Sequence, residues 1–194
     1  MRTWIVFVEV VWGGTEGTVA RVLMIIAPER FRDEELFETR EALLGAGHEV
    51  VIASSTKGKC TGSRGGVADA DTTLEAADPS AFDAVVFVGG SGSARYFADP
   101  RAHAIAKEMY QAGRLVTAIC AGPVILANAG LLSGRKATIH AKHRAALDAG
   151  GALYVGQGVV VDGTIVTADG PKNAKRFGDR ICEGLRSPAR NTSP

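Results

Sequence analysis

The stretch that decides the fold is Leu115-Val116-Thr117-Ala118-Ile119-Cys120-Ala121-Gly122-Pro123. Val116 and Ile119 belong to a short, β-prone apolar run, and Cys120 follows at once. Small residues and an apolar helical segment come next. A nucleophile at a strand-to-helix corner occupies a sharp turn whose neighbours must be small, with a helix N-terminus beneath the side chain. Free backbone N–H groups and the helix dipole there favour a thiolate, so the corner is expected to lower the Cys120 pKa. A buried cysteine closing a core strand fits the same residues, since free Cys is among the most buried residue types.

The chain has 194 residues, enough for one domain with a sizeable core. A net charge of +1 gives no electrostatic case for nucleic acid or an anionic membrane. Cys60, Cys120 and Cys182 lie far apart and form no CxxC. Their odd number argues against a disulfide framework and suits a reducing, cytoplasmic setting.

Residues 1–20 read as an extension of unclear role. Residues 4–12 are apolar apart from Glu9, which makes the run too short for a membrane span and too interrupted for a secretory signal. An added edge strand and a start codon assigned too far upstream fit equally. Regular organisation begins at Arg21, so residues 21–187 are expected to form the domain and residues 188–194 a polar tail.

Residues 22–27, Val-Leu-Met-Ile-Ile-Ala, form a continuous apolar run, as expected of a strand buried on both faces. Residues 28–32 read as a loop. Asp33 reads as the N-cap of a helix with Leu36, Phe37, Leu43 and Leu44 on one face, stopped by Gly47. Residues 49–53 give a second strand, so the chain opens β-α-β. Residues 57–71 read as a hairpin or edge excursion, and 72–77 as one helical turn.

Residues 84–88 form the third buried strand, ending in Gly89-Gly90-Ser91-Gly92. Asp99-Pro100 starts a helix whose apolar face is Ala102, Ile105, Ala106 and Met109. Beyond Cys120, residues 124–129 form a buried helix, and 141–149 a short one. Asp162-Gly163 between two Val/Ile-rich runs predicts a hairpin with a type I′ turn. From Pro171 a last helix sets Ala174, Phe177, Ile181 and Leu185 on one stripe, with Cys182 flanking it in the core.

Alternating buried strands and helices predict an α/β fold, a doubly wound, mostly parallel sheet sandwiched by helices. Such sheets bind ligands beyond the carboxyl ends of their strands. Three candidates lie there: the loop after Ala27, Gly89-Gly90, and Cys120. Cys120 is the best nucleophile. Gly89-Gly90-Ser91-Gly92 lacks the spacing and Lys of a P-loop and is not a dinucleotide fingerprint. It could turn a backbone N–H toward the nucleophile as half of an oxyanion hole, or simply make a tight turn. Glu34 and Glu35 open the first helix, where the dipole alone accounts for carboxylates; one beside the sulfur could also move a proton. His140 reads as a base or orienter, or as a surface residue. His140 and His143 have no acidic or Cys partner for a metal, and His48 and His103 read as surface residues.

Residues 21–185 resemble the ThiJ/PfpI superfamily, the group containing the DJ-one proteins. The signals fall in the family's order: the opening strand and Glu-bearing loop, Val88-Gly89-Gly90, Ala118-Ile119-Cys120-Ala121-Gly122-Pro123, Leu131-Leu132-Ser133-Gly134-Arg135-Lys136-Ala137-Thr138, and Val160-Val161-Asp162-Gly163. The resemblance implies a flavodoxin-like sandwich, homodimeric, with the cysteine at the nucleophile elbow. It places the nucleophile on Cys120, the oxyanion-hole N–H groups on Gly90 and Ala121, and the histidine near the cysteine on His140. The acid/base glutamate falls on Glu35 counting back from Ala46-Gly47 and on Glu34 counting forward from Ala27; Glu35 is preferred, because a helix is the better ruler.

The intracellular-protease branch carries His directly after the cysteine, where this chain has Ala121. A glutamate that a neighbouring subunit supplies in that branch is also missing, with Ala94 nearby. Both departures point to the DJ-one-like branch, whose activities are glyoxalase, deglycase, redox sensing and chaperone-like protection. The expectation is a cysteine enzyme acting on small reactive carbonyls such as methylglyoxal or their adducts, needing no metal or organic cofactor. A non-enzymatic redox sensor or stress protein, and a peptidase or isonitrile-hydratase-like enzyme, are the alternatives.

Overall fold

The structure, a computed structural model, describes residues 18–156 and 158–186. Most of the expected N-terminal extension and the whole polar tail therefore lie outside the described residues. In chain order the elements are β1 (Arg21–Ile25), β2 (Glu29–Phe31), α1 (Asp33–Gly45), β3 (Glu49–Ser54), β4 (Gly58–Gly62), β5 (Val67–Ala70), β6 (Thr72–Thr73), β7 (Ala84–Phe87), α2 (Pro100–Gln111), β8 (Leu115–Ile119), α3 (Pro123–Asn128), β9 (Lys136–Ala137), α4 (Arg144–Ala149), β10 (Leu153–Tyr154), β11 (Val159–Asp162), β12 (Ile165–Ala168) and α5 (Ala174–Arg186).

Seven strands form the main sheet in the order β11-β12-β8-β7-β1-β3-β6. All neighbours pair parallel except β11 with β12. The apolar runs behave as buried parallel strands should, with alternate residues feeding opposite faces. Leu23 and Ile25 pack with Ile105, Met109 and Ile125 on the α2–α3 side. Val22 and Met24 pack with Leu36, Leu43, Phe177 and Ile181 on the α1–α5 side. There α1 and α5 approach closely, because a Cβ on Gly178 would stand 2.7 Å from the Ala42 Cβ. Among the described residues no helix is long and apolar enough to cross a membrane.

Four local readings need correction. Residues 28–32 are not merely a loop, since β2 pairs with β4 in a small separate sheet with β5. Asp33 is not the N-cap of α1; that position is Arg32, with no side-chain cap. The Asp33 carboxylate instead accepts from the Arg64 and Gly66 amides, both at 2.7 Å, and ties the β4–β5 turn to the start of α1. Those hydrogen bonds hold its pKa below the ordinary value against burial, which pushes it up. Residues 72–77 open as β6, pairing parallel with β3 through Ala53 and Thr72, so the expected helical turn is confined to residues 73–77, where the Ala77 N–H donates to Thr73 O at 3.0 Å. In the β11–β12 hairpin Asp162 pairs with Ile165, so the loop is Gly163-Thr164. Gly163 has φ +60° and Thr164 is not in the left-handed region, so the turn is not type I′.

Candidate active site

Three neighbouring strands, β8, β7 and β1, end flush: Ile25 pairs with Phe87, and Phe87 with Ala118. Their outgoing loops meet there, with the β7 loop in the middle. This places Val88-Gly89-Gly90 between the loop leading to α1 and the corner holding Cys120.

Cys120 lies between β8 and α3 with φ +62°. For a non-glycine residue that left-handed conformation costs about 1–2 kcal/mol. Surrounding hydrogen bonds hold it: its N–H donates to Ala168 O at 2.8 Å, and its carbonyl accepts from the His140 N–H at 3.0 Å. The bend also needs Gly122, whose added Cβ would run into the Phe87 carbonyl.

Glu35 is fully buried on the face of α1 that carries Leu36, Thr39 and Leu43. Its Oε2 accepts from the Gly89 N–H at 3.0 Å. Its carboxyl also interacts electrostatically with the Cys120 thiol, and Oε1 has no hydrogen-bond partner. Glu34 is half-buried and bound to Arg32 at 2.8 Å. Of the two carboxylates, Glu35 is therefore the one brought to the sulfur.

Gly89 separates the pair. A Cβ there would stand 2.6 Å from Glu35 Oε2 and 2.7 Å from Cys120 Cβ. Its carbonyl accepts from the Arg32 N–H at 3.1 Å, fixing the peptide whose far side is the Gly90 N–H. That N–H and the Ala121 N–H both act on the Cys120 sulfur and favour its charged form. Ser93 is buried, and its hydroxyl donates to Gly90 O at 2.7 Å, pinning the loop that follows. Sequence reasoning gives Gly89 only as part of the Gly89-Gly90-Ser91-Gly92 turn and gives Ser93 no role; the signal for Gly89 is the paired glycine itself, which allows a backbone approach that a side chain would block.

The electrostatics reverse one expectation. Burial pushes Glu35 up to about 7, against the Cys120 thiol and the hydrogen bond from Gly89. Burial and then the Glu35 charge push the Cys120 thiol up to about 12, with the Gly90 and Ala121 amides pulling the other way. The thiol is thus raised, not lowered as the corner alone predicts. A helix of six residues beneath it cannot outweigh desolvation and a carboxylate. When Glu35 holds the proton, the repulsion on the sulfur disappears and the carboxyl becomes a donor to it, so the two titrate as one unit.

His140 is placed differently from the others. Its backbone is tied to Cys120, but its ring is exposed, and Nδ1 accepts from the Lys142 N–H at 3.3 Å. The ring caps a short 3-10 turn, Ala141–His143. His48 is buried rather than a surface residue, with Nδ1 accepting from the Ala20 N–H at 3.3 Å. Cys60 and Cys182 are buried in the core. Among the described residues no cluster of three His, Cys, Asp or Glu side chains could hold a metal ion.

Residues 20–184 match the DJ-1/PfpI family. The chain is 41% identical over 169 residues to an uncharacterised protein of Methanocaldococcus jannaschii, covering 86% of this chain and 82% of that one. It is 37% identical over 149 residues to a protein of Thermococcus kodakarensis named a deglycase, covering 77% and 90%. The crystal structure of a ThiJ/PfpI domain protein from Brachyspira murdochii superposes with a TM-score of 0.85 at 33% identity, over 87% of this chain and 98% of that one. Sequence match, relatives and fold agree: the chain belongs to the DJ-1/PfpI family.

Proposed function

We propose that this protein is a cofactor-independent, cysteine-dependent enzyme that acts on small reactive carbonyls or their thiol and amine adducts, in the manner of a glyoxalase or deglycase. The observation that carries the reading is the buried Glu35 carboxyl set beside Cys120, both within 2.7 Å of the place a Cβ on Gly89 would take, with the Gly90 and Ala121 N–H groups acting on the sulfur. The relative named a deglycase points the same way.

With methylglyoxal the chemistry runs in three steps. Glu35 takes the thiol proton as sulfur bonds to the aldehyde carbon; because the thiol is protonated at rest, the two events go together. The carbonyl electron pair moves onto oxygen, which the Gly90 and Ala121 amides hold until Glu35 returns the proton and a hemithioacetal forms. Glu35 then lifts the hydrogen from the former aldehyde carbon and delivers it to the neighbouring carbon, while the hydroxyl proton passes to the neighbouring oxygen, converting the hemithioacetal through an enediol into the thioester of lactate. Water cleaves the C–S bond, releasing lactate and the free thiol. The sum is methylglyoxal plus water giving lactate, with no outside oxidant.

Oxidant sensing at Cys120 is the weaker reading, because it favours a thiolate at rest and burial and Glu35 act against one here. The test of the enzyme reading is lactate formation from methylglyoxal by the pure protein. Turnover that vanishes in Cys120→Ser is expected; turnover that survives that change, or none in the wild type, sinks it. The resemblance extends the proposal to a homodimer, which light scattering on the eluting protein checks.

A further inference from the structure

Among the described residues two non-glycines adopt positive φ: Cys120, and Arg30 at +59°. Arg30 is the central residue of β2. Glycine would take this conformation freely; an arginine there keeps its side chain at the expense of backbone comfort. Strain of this kind clusters where a side chain must be presented, and the observed outlier motivates a role. The Arg30 carbonyl and the Arg32 N–H occupy the space a Cβ on Gly90 would need. The strained residue is therefore pressed against the amide that faces the Cys120 sulfur.

The Arg30 side chain is exposed and has no salt bridge among the described residues, whereas Arg32 is held by Glu34. Two further cations share this surrounding. Arg95 is exposed on the 3-10 turn Ser91–Tyr96, which packs against β2 where Gly92 meets the Glu29 carbonyl. Lys142 is exposed two residues after His140, whose N–H binds the Cys120 carbonyl. Neither has a salt bridge among the described residues. Of the nearby carboxylates, Glu34 is engaged by Arg32, and Asp169 by the Gly158 amide and Asn173. Glu29 is the acidic residue of β2 itself and is exposed.

We propose that the site selects carbonyl adducts that carry a carboxylate, and that Arg30 receives that anion while the carbonyl lies at Cys120. This rests on the carbonyl chemistry proposed above and names its substrate class. An unpaired guanidinium offers a forked pair of donors that fits a carboxylate. Arg95 and Lys142, on loops tied to β2 and to the Cys120 carbonyl, add favourable potential.

The test compares two hemithioacetals of methylglyoxal, one made with excess N-acetylcysteine and one with its neutral amide. They differ by a single charge. Lactate formation gives kcat/KM for each. The wild type should favour the carboxylate adduct about tenfold, the effect of one charge-assisted contact. Salt should shrink that ratio, because the contact is exposed. Arg30→Gln should bring the ratio near one, and Arg30→Lys should restore part of it. Equal use of both adducts by the wild type, with Cys120→Ala inactive on both, overturns the charge preference and leaves the carbonyl chemistry standing. An undiminished ratio in Arg30→Gln overturns the assignment to Arg30. Failure of the wild type on both adducts and on free methylglyoxal overturns both proposals.

Discussion

Glu35 and Cys120 face each other across Gly89: the carboxyl and the thiol shift each other's titration, and one added Cβ on the glycine would strike both. The two groups come from opposite ends of the chain's first two-thirds, and only the order of strands β8, β7 and β1 puts them side by side. Glu35→Gln keeps the shape and a donor for the sulfur but cannot exchange a proton. Turnover should fall by about 10²–10⁴-fold, the range of positioned proton transfer. Glu34→Gln, which only loosens a partly exposed pair with Arg32, should stay near the wild type. Measured methylglyoxal turnover decides between them; a dead Glu34→Gln with a working Glu35→Gln would reverse the assignment.

Gly89→Ala should be worse than either for the fold. The new methyl would stand 2.6 Å from the Glu35 carboxyl and 2.7 Å from Cys120 Cβ, and the Ile119 carbonyl lies at 2.8 Å. Backbone on one side and a buried strand end on the other leave little room to yield. Overpacking of this kind costs about 1–3 kcal/mol, so the melting temperature should drop along with turnover. Normal stability with normal turnover would show that the loop can move aside.

The sheet was legible because its strands are buried on both faces and write themselves as unbroken apolar runs, as in Val22–Ile25 and Ala84–Phe87. What escaped reading depends on partners distant in sequence. Asp33 has the residue type and position of an N-cap, yet Gly62 and Gly66 leave space for its carboxylate to reach the β4–β5 turn instead. β2 is three residues long, two of them charged, and exists because β4 offers it an edge. The local sequence of Cys120 advertises a helix terminus, which lowers a thiol pKa; the carboxyl that raises it belongs to another element. Glu34 and Glu35 differ only in which way the helix turns them.

His140 offers a clean separation of ring from backbone. Its N–H holds the Cys120 carbonyl, while Nδ1 accepts from Lys142 and keeps the turn closed. If the ring acts only as a cap, His140→Asn, which can also accept from that N–H, should retain turnover to within a few-fold. His140→Ala should lose more, along with about 0.5–2 kcal/mol of stability for a missing cap. If His140→Asn is as inactive as Cys120→Ala, the imidazole itself is the base or orienter.

The buried carboxyl should set stability and activity against each other as pH changes. Desolvation raises Glu35 from 4.5 to about 7, with Glu34 adding a little and Cys120, Gly89 and Arg32 opposing. Between those values the folded protein keeps a proton that the unfolded chain has already released. Stability is therefore fully present below about 4.5 and is lost as pH rises through about 7. At 1.36 kcal/mol per pKa unit the loss is roughly 3 kcal/mol. The raised thiol acts in the same direction at higher pH, from 9 toward about 12. Over the lower window kcat/KM should climb, because an ionised Glu35 is needed to accept the thiol proton. Urea midpoints of the wild type and Glu35→Gln at a series of pH values below the thiol's titration isolate the effect, since every other group that titrates there is common to both. The wild type should lose stability relative to Glu35→Gln as pH rises toward 7 and then run parallel to it. Parallel curves throughout would mean that Glu35 titrates in the folded protein as it does in the unfolded chain, and the shared proton between Glu35 and Cys120 would have to be given up.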